Sequence, residues 1–437
     1  MTAPGPLPRR LDAAGQSWLI PHLAALAPDA RSRLEHQLAS LDLGLVGRLA
    51  CRGPSTPSRP GALEPHPCIG AAERTGDPGP RARGERALRA GDVAFALLAG
   101  GQASRLGWDG PKGTYPVGPA TKRSLFQILV EGVLKAERRY GAAPRLAVTT
   151  SPETDAAVRE FFGGNGLFGY PPRRLQFVRQ AMLPALDEDG RLLLAAPDRV
   201  FLSPDGHGGA VAALEREGIL AEWAADGVTA VCTFQVDNAL LRVVDPDFIG
   251  RVLEGGVDIA TKVVRKTEPG QRLGVVARHR GRAVVVEYSE IGTEAAARRD
   301  ADGALTFHLG SIAVHAFRTA FLRRELAREL PLHDARREIP GVDERGRPVR
   351  RRGRKFERFV FDLFPAARAV RAVEVVRERE YEPLKNAAGT ESPETVRAAL
   401  DREYRRWDAD AGLEPPGPGP LEISPLDAEG PEDLIES

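Results

Sequence analysis

Seven short apolar runs punctuate the chain from about Asp92 onward: "VAFALLAG", "RLAVTT", "LQFVRQ", "VTAVCTFQVDN", "VDIATKVV", "LGVVARH" and "AVVVEYSEI". Runs this short, rich in β-branched residues and bounded by turn formers, suit strands covered on both faces. Between them, "SLFQILVEGVLKAERRYG" and "TDAAVREFFGG" repeat apolar residues at three- and four-residue steps, as amphipathic helices do. The alternation predicts an α/β fold: a mixed, mainly parallel sheet flanked by helices. Ligands of such sheets collect beyond the carboxyl ends of the strands, so the residues that follow each run are the first candidates for function.

The 437 residues are 42% hydrophobic, enough for one large or two medium domains. Two amphipathic helices are expected from Gly15 to about Ala50, with Pro28 and Asp29 marking the start of the second. The stretch "GPSTPSRPGALEPHPCIGAAERTGDPGPRARG" then reads as an extended crossing. Beyond Leu384, "ESPETVRAALDREYRRWDADAG" is a helix, and the acidic, proline-rich "LEPPGPGPLEISPLDAEGPEDLIES" is a tail that hugs the surface. This divides the chain into an N-terminal helical segment with its crossing (1–90), a main α/β domain (91–385) and a shortened C-terminal region (386–437).

With 61 basic residues against 60 acidic ones, no overall field attracts nucleic acid, and any anion site must be local. No stretch approaches the roughly 20 apolar residues of a membrane span, and the N-terminus lacks the apolar core of a secretion signal. Cys51, Cys68 and Cys232 are spaced for neither a disulfide framework nor a zinc site, so a reducing cytoplasm is expected, with neither nucleic acid nor membrane as partner. Only seven of the 61 basic residues are lysines: Lys112, Lys122, Lys135, Lys262, Lys266, Lys355 and Lys385. In a chain that defaults to arginine, each lysine is a candidate for a place that needs a compact ammonium.

The segment "LLAGGQASRLGWDGPKGTYPVG", Leu97 to Gly118, concentrates the chemistry. A strand runs into Gly100 and Gly101, which allow backbone to approach a ligand, and Arg105 and Lys112 follow. Two cations beside exposed N–H groups suit a nucleoside triphosphate; the bland alternative is a glycine-rich turn with solvated cations. The G-x-G-x-x-G dinucleotide fingerprint and the G-x-x-x-x-G-K-[ST] phosphate loop are both absent, which disfavours dehydrogenases and P-loop hydrolases.

"LAGGQASRLGWDGPKG" resembles the LAGGxGTRLG…PKG signature of the UDP-sugar pyrophosphorylases, nucleotidyltransferases that join UTP and a sugar 1-phosphate. It is most like the eukaryotic-type UDP-N-acetylhexosamine enzymes, with Ala103 for the usual glycine and Ser104 for the usual threonine. "FVRQAMLPALDEDGRLLL", "SPDGHGG", "FQVDNAL", "KVVRKTEPGQRLGVV", "VVVEYSEI", "FHLGSIAVHAF", "KFERFVFDLFP" and "EYEPLKNAAG" continue the resemblance in the family's order, from about Gly15 to about Leu426 and weakly at both ends. It implies a Rossmann-like nucleotidyltransferase domain over 91–385 and a cytoplasmic uridylyltransferase that uses Mg2+, with UTP and a sugar 1-phosphate as partners. The short C-terminal region suggests a monomer, with a homo-oligomer left open.

The resemblance also implies roles. Arg105, Lys112 and Lys385 are the catalytic cations, Lys385 holding the sugar 1-phosphate. Leu98, Ala99, Gly100, Gly101, Lys112, Gln180, Gly206, Asp237 and Lys355 bind the nucleotide, Gln180 reading the uracil edge with its amide. Asp237, at the end of a strand, is the magnesium ligand; without the resemblance it is equally a turn or cap residue. Lys355 lies in "RRRGRKFERF", which also reads as a solvated basic face. His207, Gly274, Glu287, Tyr288, Ser311 and Lys385 surround the sugar. His207 and Ser311 each stand where N-acetylhexosamine enzymes usually carry asparagine. On overall resemblance N-acetylglucosamine 1-phosphate is the leading substrate, and these two departures leave glucose 1-phosphate, galactose 1-phosphate or a broad specificity as alternatives. A non-catalytic UDP-sugar binding protein is the reading from another class.

Overall fold

All seven expected runs form strands in the computed structural model, which describes residues 6–52, 61–343, 346–414, 417–428 and 430–435. The start of the expected crossing, residues 53–60, lies outside the described residues. The chain divides into two compact units. The larger comprises Arg59–Gln180, Ala210–Glu329 and Val360–Ser437, the smaller Met1–Ser58, Ala181–Gly209 and Leu330–Phe359.

An eleven-stranded sheet forms the larger unit: Leu63–Pro65 (β1), Cys68–Ile69 (β2), Val93–Leu98 (β3), Arg145–Thr150 (β4), Leu175–Arg179 (β5), Ala230–Gln235 (β6), Ile259–Arg265 (β7), Val275–His279 (β8), Arg282–Val286 (β9), Leu309–Arg318 (β10) and Val370–Glu374 (β11). Its main path runs β2-β11-β7-β10-β6-β3-β4-β5. β6, β3, β4 and β5 are mutually parallel, as are β7, β11 and β2, whereas β10 runs antiparallel to both β6 and β7. The sheet is thus mixed: β10 reverses in its middle, and β1 and β9 run antiparallel to β8 beside it. β3 is buried along almost its whole length, consistent with helices covering both faces.

Helix Leu125–Tyr140 shows why these segments become helices. Ser124 caps its first turn by accepting from the Gln127 N–H, Gly141 ends it in the left-handed region, and its apolar face is buried in the main core. Helix Pro393–Asp410 is capped by Ser392 and Thr395 and adds Val396, Leu400 and Tyr404 to the same core. The tail beyond it packs Leu421, Ile423 and Leu426 against that core. Its Glu422 carboxylate accepts from the N–H groups of Ala120 and Thr121, from the Thr121 hydroxyl and from Arg123. Burial opposes the Glu422 charge, but these donors hold its carboxyl below the ordinary range.

The smaller unit departs from the linear division at residues 90 and 385. From Gly15 to Ala50 three helices stand where two were expected, Leu19–Ala25, Pro28–Ser40 and Leu43–Cys51: Pro28 starts the second, as expected, and the Asp42 cap starts a third, while Leu7–Ala13 precedes them. Their leucines share a core with Leu183, Leu186, Leu192, Leu194, Val200 and Phe356. Buried Gln16 joins the pieces, donating to the Gly190 carbonyl at 2.9 Å and accepting from the Leu192 N–H at 2.8 Å. Helices this short cannot bury an apolar face alone, so they draw on segments far along the chain. A hairpin of His333–Val342 with Pro348–Glu357 builds the unit's sheet.

All three cysteines are free, and burial pushes the Cys68 and Cys232 thiols up to about 12. No described helix is long and apolar enough to cross a membrane.

Within the larger unit, helices Pro78–Ala90 and Pro246–Val252 meet at reciprocal glycines. A side chain on Gly84 would overlap the Pro246 carbonyl, and one on Gly250 would overlap that of Pro80. Gly250→Val is expected to destabilise the fold by about 3 kcal/mol, read as a lower urea midpoint at unchanged m-value. An unchanged midpoint would show that the two helices can separate without cost.

Candidate active site

The parallel strands β3, β4, β5 and β6 all finish at one edge of the large sheet, and the chain that follows each one carries polar function there. Register brings β10 to the same edge from the other direction, since Gly310 pairs with Val264 near the end of β7.

β3 ends at Leu98, and Ala99 donates its N–H to the Thr149 carbonyl at 3.1 Å. Gly100 is buried against the amide of Gln180, where any side chain would collide with that amide. Gln180, itself 5% exposed, donates its own N–H to the Thr150 carbonyl at 2.9 Å. The absent Cβ of Gly100 thus lets a glutamine amide sit beside the backbone at the end of β3. From Gly101 the chain loops out and returns, with Ala103 N–H bonded to the Gly110 carbonyl and Lys112 N–H to the Gly101 carbonyl, both at 3.1 Å. Arg105 projects from this loop in a short 3-10 turn, exposed, with no ion pair or hydrogen bond among the described residues.

Lys112, Asp237 and Lys385 converge. The Lys112 ammonium donates to the Leu384 carbonyl at 3.0 Å and lies 3.6 Å from the Asp237 carboxylate. Asp237, just past β6, accepts the Leu384 N–H on its backbone carbonyl at 2.7 Å. The next residue, Lys385, places its ammonium 3.3 Å from the Tyr381 hydroxyl and 3.4 Å from the Glu391 carboxylate. Burial disfavours the Lys385 charge, but Tyr381, Asp237 and Glu391 outweigh it, so its pKa is raised and it stays cationic. Burial raises the Tyr381 phenol as well.

Gly274, Glu287 and Ser311 form a second group at this edge. The Ser311 N–H donates to the Gly274 carbonyl at 2.8 Å, and the Glu287 carboxylate lies 3.5 Å from where a Gly274 Cβ would stand. Ser311 is 6% exposed, whereas Tyr288, expected as a pocket wall, is 47% exposed.

Gly206, His207 and Lys355 belong to the smaller unit. Gly206 has φ +86°, and a side chain there would crowd the Arg358 carbonyl, which accepts the Gly208 N–H at 2.9 Å. His207 stacks on Phe359 at 5.3 Å, and Phe359 stacks in turn on His333 at 4.5 Å. Burial, with a smaller contribution from His333, pushes the His207 imidazole down to about 4, so it is neutral at physiological pH. Lys355 lies in the hairpin with its ammonium 4.8 Å from the Phe201 ring centroid. Around it, Arg336, Arg337, Arg350, Arg351 and Arg352 are exposed, whereas Arg354 of the same run is buried and paired with Asp334, so only part of the basic run is a solvated face.

A cavity of about 620 Å³ elsewhere in the larger unit offers no comparable cations. Most of its arginines are already paired: Arg74 with Asp245 and Asp247, Arg81 with Glu85, Arg242 with Glu432, Arg406 with Glu403 and Asp410, while Arg379 is exposed.

The residue-level reading missed Tyr381, whose hydroxyl meets Lys385; its position four residues before that lysine in "EYEPLKNA" was the available signal. Asn238 holds the turn, its amide donating to the Glu380 carbonyl at 2.7 Å and its side-chain oxygen accepting from the Glu382 N–H at 3.2 Å.

The model of one family, described as UTP–glucose-1-phosphate uridylyltransferase, matches residues 81–389. The chain belongs to that family. It is 38% identical to UDP-N-acetylhexosamine pyrophosphorylase-like protein 1 of Homo sapiens, over 92% of this chain and 85% of that one. It is 35% identical to the UDP-N-acetylglucosamine pyrophosphorylase of Saccharomyces cerevisiae, over 75% and 72% of the two chains. Its fold matches the crystal structure of the uridine diphosphate N-acetylglucosamine pyrophosphorylase from Trypanosoma brucei with a TM-score of 0.79, at 27% identity, covering 100% of this chain and 95% of that one. The expected Rossmann-like α/β fold is borne out, and membership of the family makes the chain a nucleotidyltransferase.

Because the folded state disfavours a charged His207, the unfolded chain binds that proton first, from the ordinary value of 6.5 downward. Stability should therefore fall as pH drops from 6.5 towards 4, and His207→Phe, which keeps an aromatic stack, should reduce that slope. An imidazole NMR titration of His207 centred near 6.5 would contradict the assignment.

Proposed function

We propose that the protein transfers a uridylyl group from UTP to N-acetylglucosamine 1-phosphate, giving UDP-N-acetylglucosamine and pyrophosphate. The observation that carries this reading is the convergence of Lys112, Asp237 and Lys385 at the carboxyl edge of the sheet. A phosphate oxygen of the sugar attacks the α-phosphorus of UTP, and the bond from that phosphorus to the bridging oxygen breaks as pyrophosphate leaves. The nucleophile is already ionised, so the protein's work is alignment and neutralisation of charge, as in other phosphoryl transfers.

In this reading Leu98, Ala99, Gly100 and Gly101 offer backbone to the uridine, and the Gln180 amide meets the donor and acceptor on the uracil edge. Arg105 and Lys112 stabilise the α-phosphate and the departing pyrophosphate, while Lys385 holds the sugar 1-phosphate. Asp237 supplies one hard carboxylate oxygen, and no cluster of three or more metal-ligating side chains occurs among the described residues. That donor set fits magnesium held mainly by the triphosphate and water, with Asp237 as its protein ligand. Such an ion neutralises charge on the phosphates when bound.

Glu287 accepts from sugar hydroxyls beside Gly274, Tyr288 lines the approach, and Ser311 adds a hydroxyl to the sugar's hydrogen-bond partners. Ser311 and His207 also favour a second reading, glucose 1-phosphate, because both depart from the usual asparagines of N-acetylhexosamine enzymes. Protein similarity supports the first: the yeast and trypanosomal relatives carry the N-acetylglucosamine name.

Pyrophosphate release should be measured with UTP, magnesium and, in turn, N-acetylglucosamine, N-acetylgalactosamine, glucose and galactose 1-phosphates. The N-acetylglucosamine substrate is expected to give the highest kcat/KM. Lys112→Ala should lower kcat by about 10²–10³-fold with its fold intact. A glucose preference would select the second reading, and no turnover with any of the four would overturn the enzymatic role.

A further inference from the structure

Tyr381 opens the segment that carries Lys385, directly after the short helix Arg377–Glu380. It is 5% exposed and shares the main core with Leu384, and the Arg377 guanidinium lies 5.0 Å from its ring centroid. Its backbone N–H donates to the Arg377 carbonyl at 2.9 Å. Ring and backbone are thus fixed, which leaves the hydroxyl as the polar group to be accounted for.

A phenol offers one hydrogen and accepts on its lone pairs, whereas an ammonium offers three hydrogens and accepts nothing. The 3.3 Å contact between Lys385 and Tyr381 therefore runs from the lysine to the phenol oxygen, and it leaves the phenol hydrogen unspent. No described residue accepts that hydrogen. On the ammonium, the Tyr381 oxygen and the Glu391 carboxylate at 3.4 Å take two hydrogens through long contacts, and the third has no acceptor among the described residues. Burial raises the Tyr381 pKa, so the phenol keeps its hydrogen at physiological pH. Accepting from a cation polarises the O–H and strengthens it as a donor. A buried donor left unspent costs free energy that a phenylalanine in the same core would not incur, unless a ligand supplies the acceptor.

We infer that Tyr381 is a substrate-binding residue whose hydroxyl donates to an oxygen of the sugar 1-phosphate that Lys385 holds. This rests on the uridylyltransferase reading. The two donors divide the work: the ammonium is a compact charge with rotatable hydrogens, while the hydroxyl is carried on a ring fixed in the core. Standing 3.3 Å apart, they address two oxygens of one phosphate group and leave the third to attack the α-phosphorus of UTP.

The test compares the full-length protein with Tyr381→Phe, Lys385→Met and the double variant, assayed in both directions. Tyr381→Phe removes one oxygen and keeps the ring. It is expected to raise KM about tenfold for the sugar 1-phosphate, and for the UDP-sugar in the reverse reaction, with KM for UTP and pyrophosphate within about twofold. Its melting temperature should be unchanged or higher. In the Lys385→Met background the same change should still weaken calorimetric binding of the UDP-sugar product, whose outer phosphate came from the sugar, by about threefold or more. A loss that vanishes in that background would overturn the inference, because the hydroxyl would then act only by steadying the lysine. So would an unchanged KM for the sugar 1-phosphate, an equal rise for UTP, or a Tyr381→Phe protein that fails to fold. Absence of turnover in the unmodified protein is a different result: it removes the uridylyltransferase reading before any variant is compared.

Discussion

A single residue, Leu384, ties together Lys112, Asp237 and Lys385, the groups to which the proposed chemistry falls. Its N–H is bonded to the Asp237 carbonyl and its own carbonyl to the Lys112 ammonium. Three segments more than a hundred residues apart in the chain thereby meet at one point, and Lys385 is placed by being next in sequence. The contact is possible only because β3 and β6 lie side by side in parallel, with Leu98 opposite Gln235, so that their following loops emerge together. Were either strand reversed, Lys112 and Asp237 would be at opposite edges of the sheet. The parallel pairing is the geometric condition for everything built above it.

Beneath this point lies a buried set of charges. Lys262, only 1% exposed, reaches Asp245, Glu380 and the Arg242 carbonyl, and Arg74 reaches Asp245 from the other side. Burial alone would raise the Asp245 carboxyl, but Arg74 and Lys262 together hold it far below the carboxylate range. The backbone of Glu380 meanwhile holds the Asn238 amide, so one residue bears on the turn after β6 and on the charges below it. Buried ion pairs of this kind are poor sources of net stability and strong sources of geometry, since no other arrangement satisfies every partner. Their position under the Asp237 turn and the Tyr381–Lys385 loop keeps both from drifting.

Much of this was legible in the residues, for physical reasons. Strands covered on both faces declare themselves as unbroken apolar runs, and all seven such runs became strands of the large sheet. β10 was harder to read because Ser311 and His315 interrupt its apolar pattern, and it is the strand that reverses the main path of the sheet. The smaller unit was not legible. Gln16 and Leu192 are bonded across 176 positions, and no local pattern of turns or periodicity records a partner so distant. Among candidate residues, Gly100 with Gln180 and Lys112 with Asp237 came together as their motifs implied. Lys266 was visible only as a scarce lysine, since nothing in its neighbours reveals that its side chain is largely buried. Motifs mark residues that repeat across a family, whereas burial and pairing are properties of the folded whole.

The carboxylate of Glu422 binds four donors in the segment Ala120–Arg123, shortly after the loop that carries Lys112. The segment that follows the Lys112 loop is therefore clamped by a residue made some three hundred positions later. During synthesis on the ribosome, that segment stays without its Glu422 clamp until Glu422 has emerged. The order of translation itself thus separates the making of the loop from the making of its clamp.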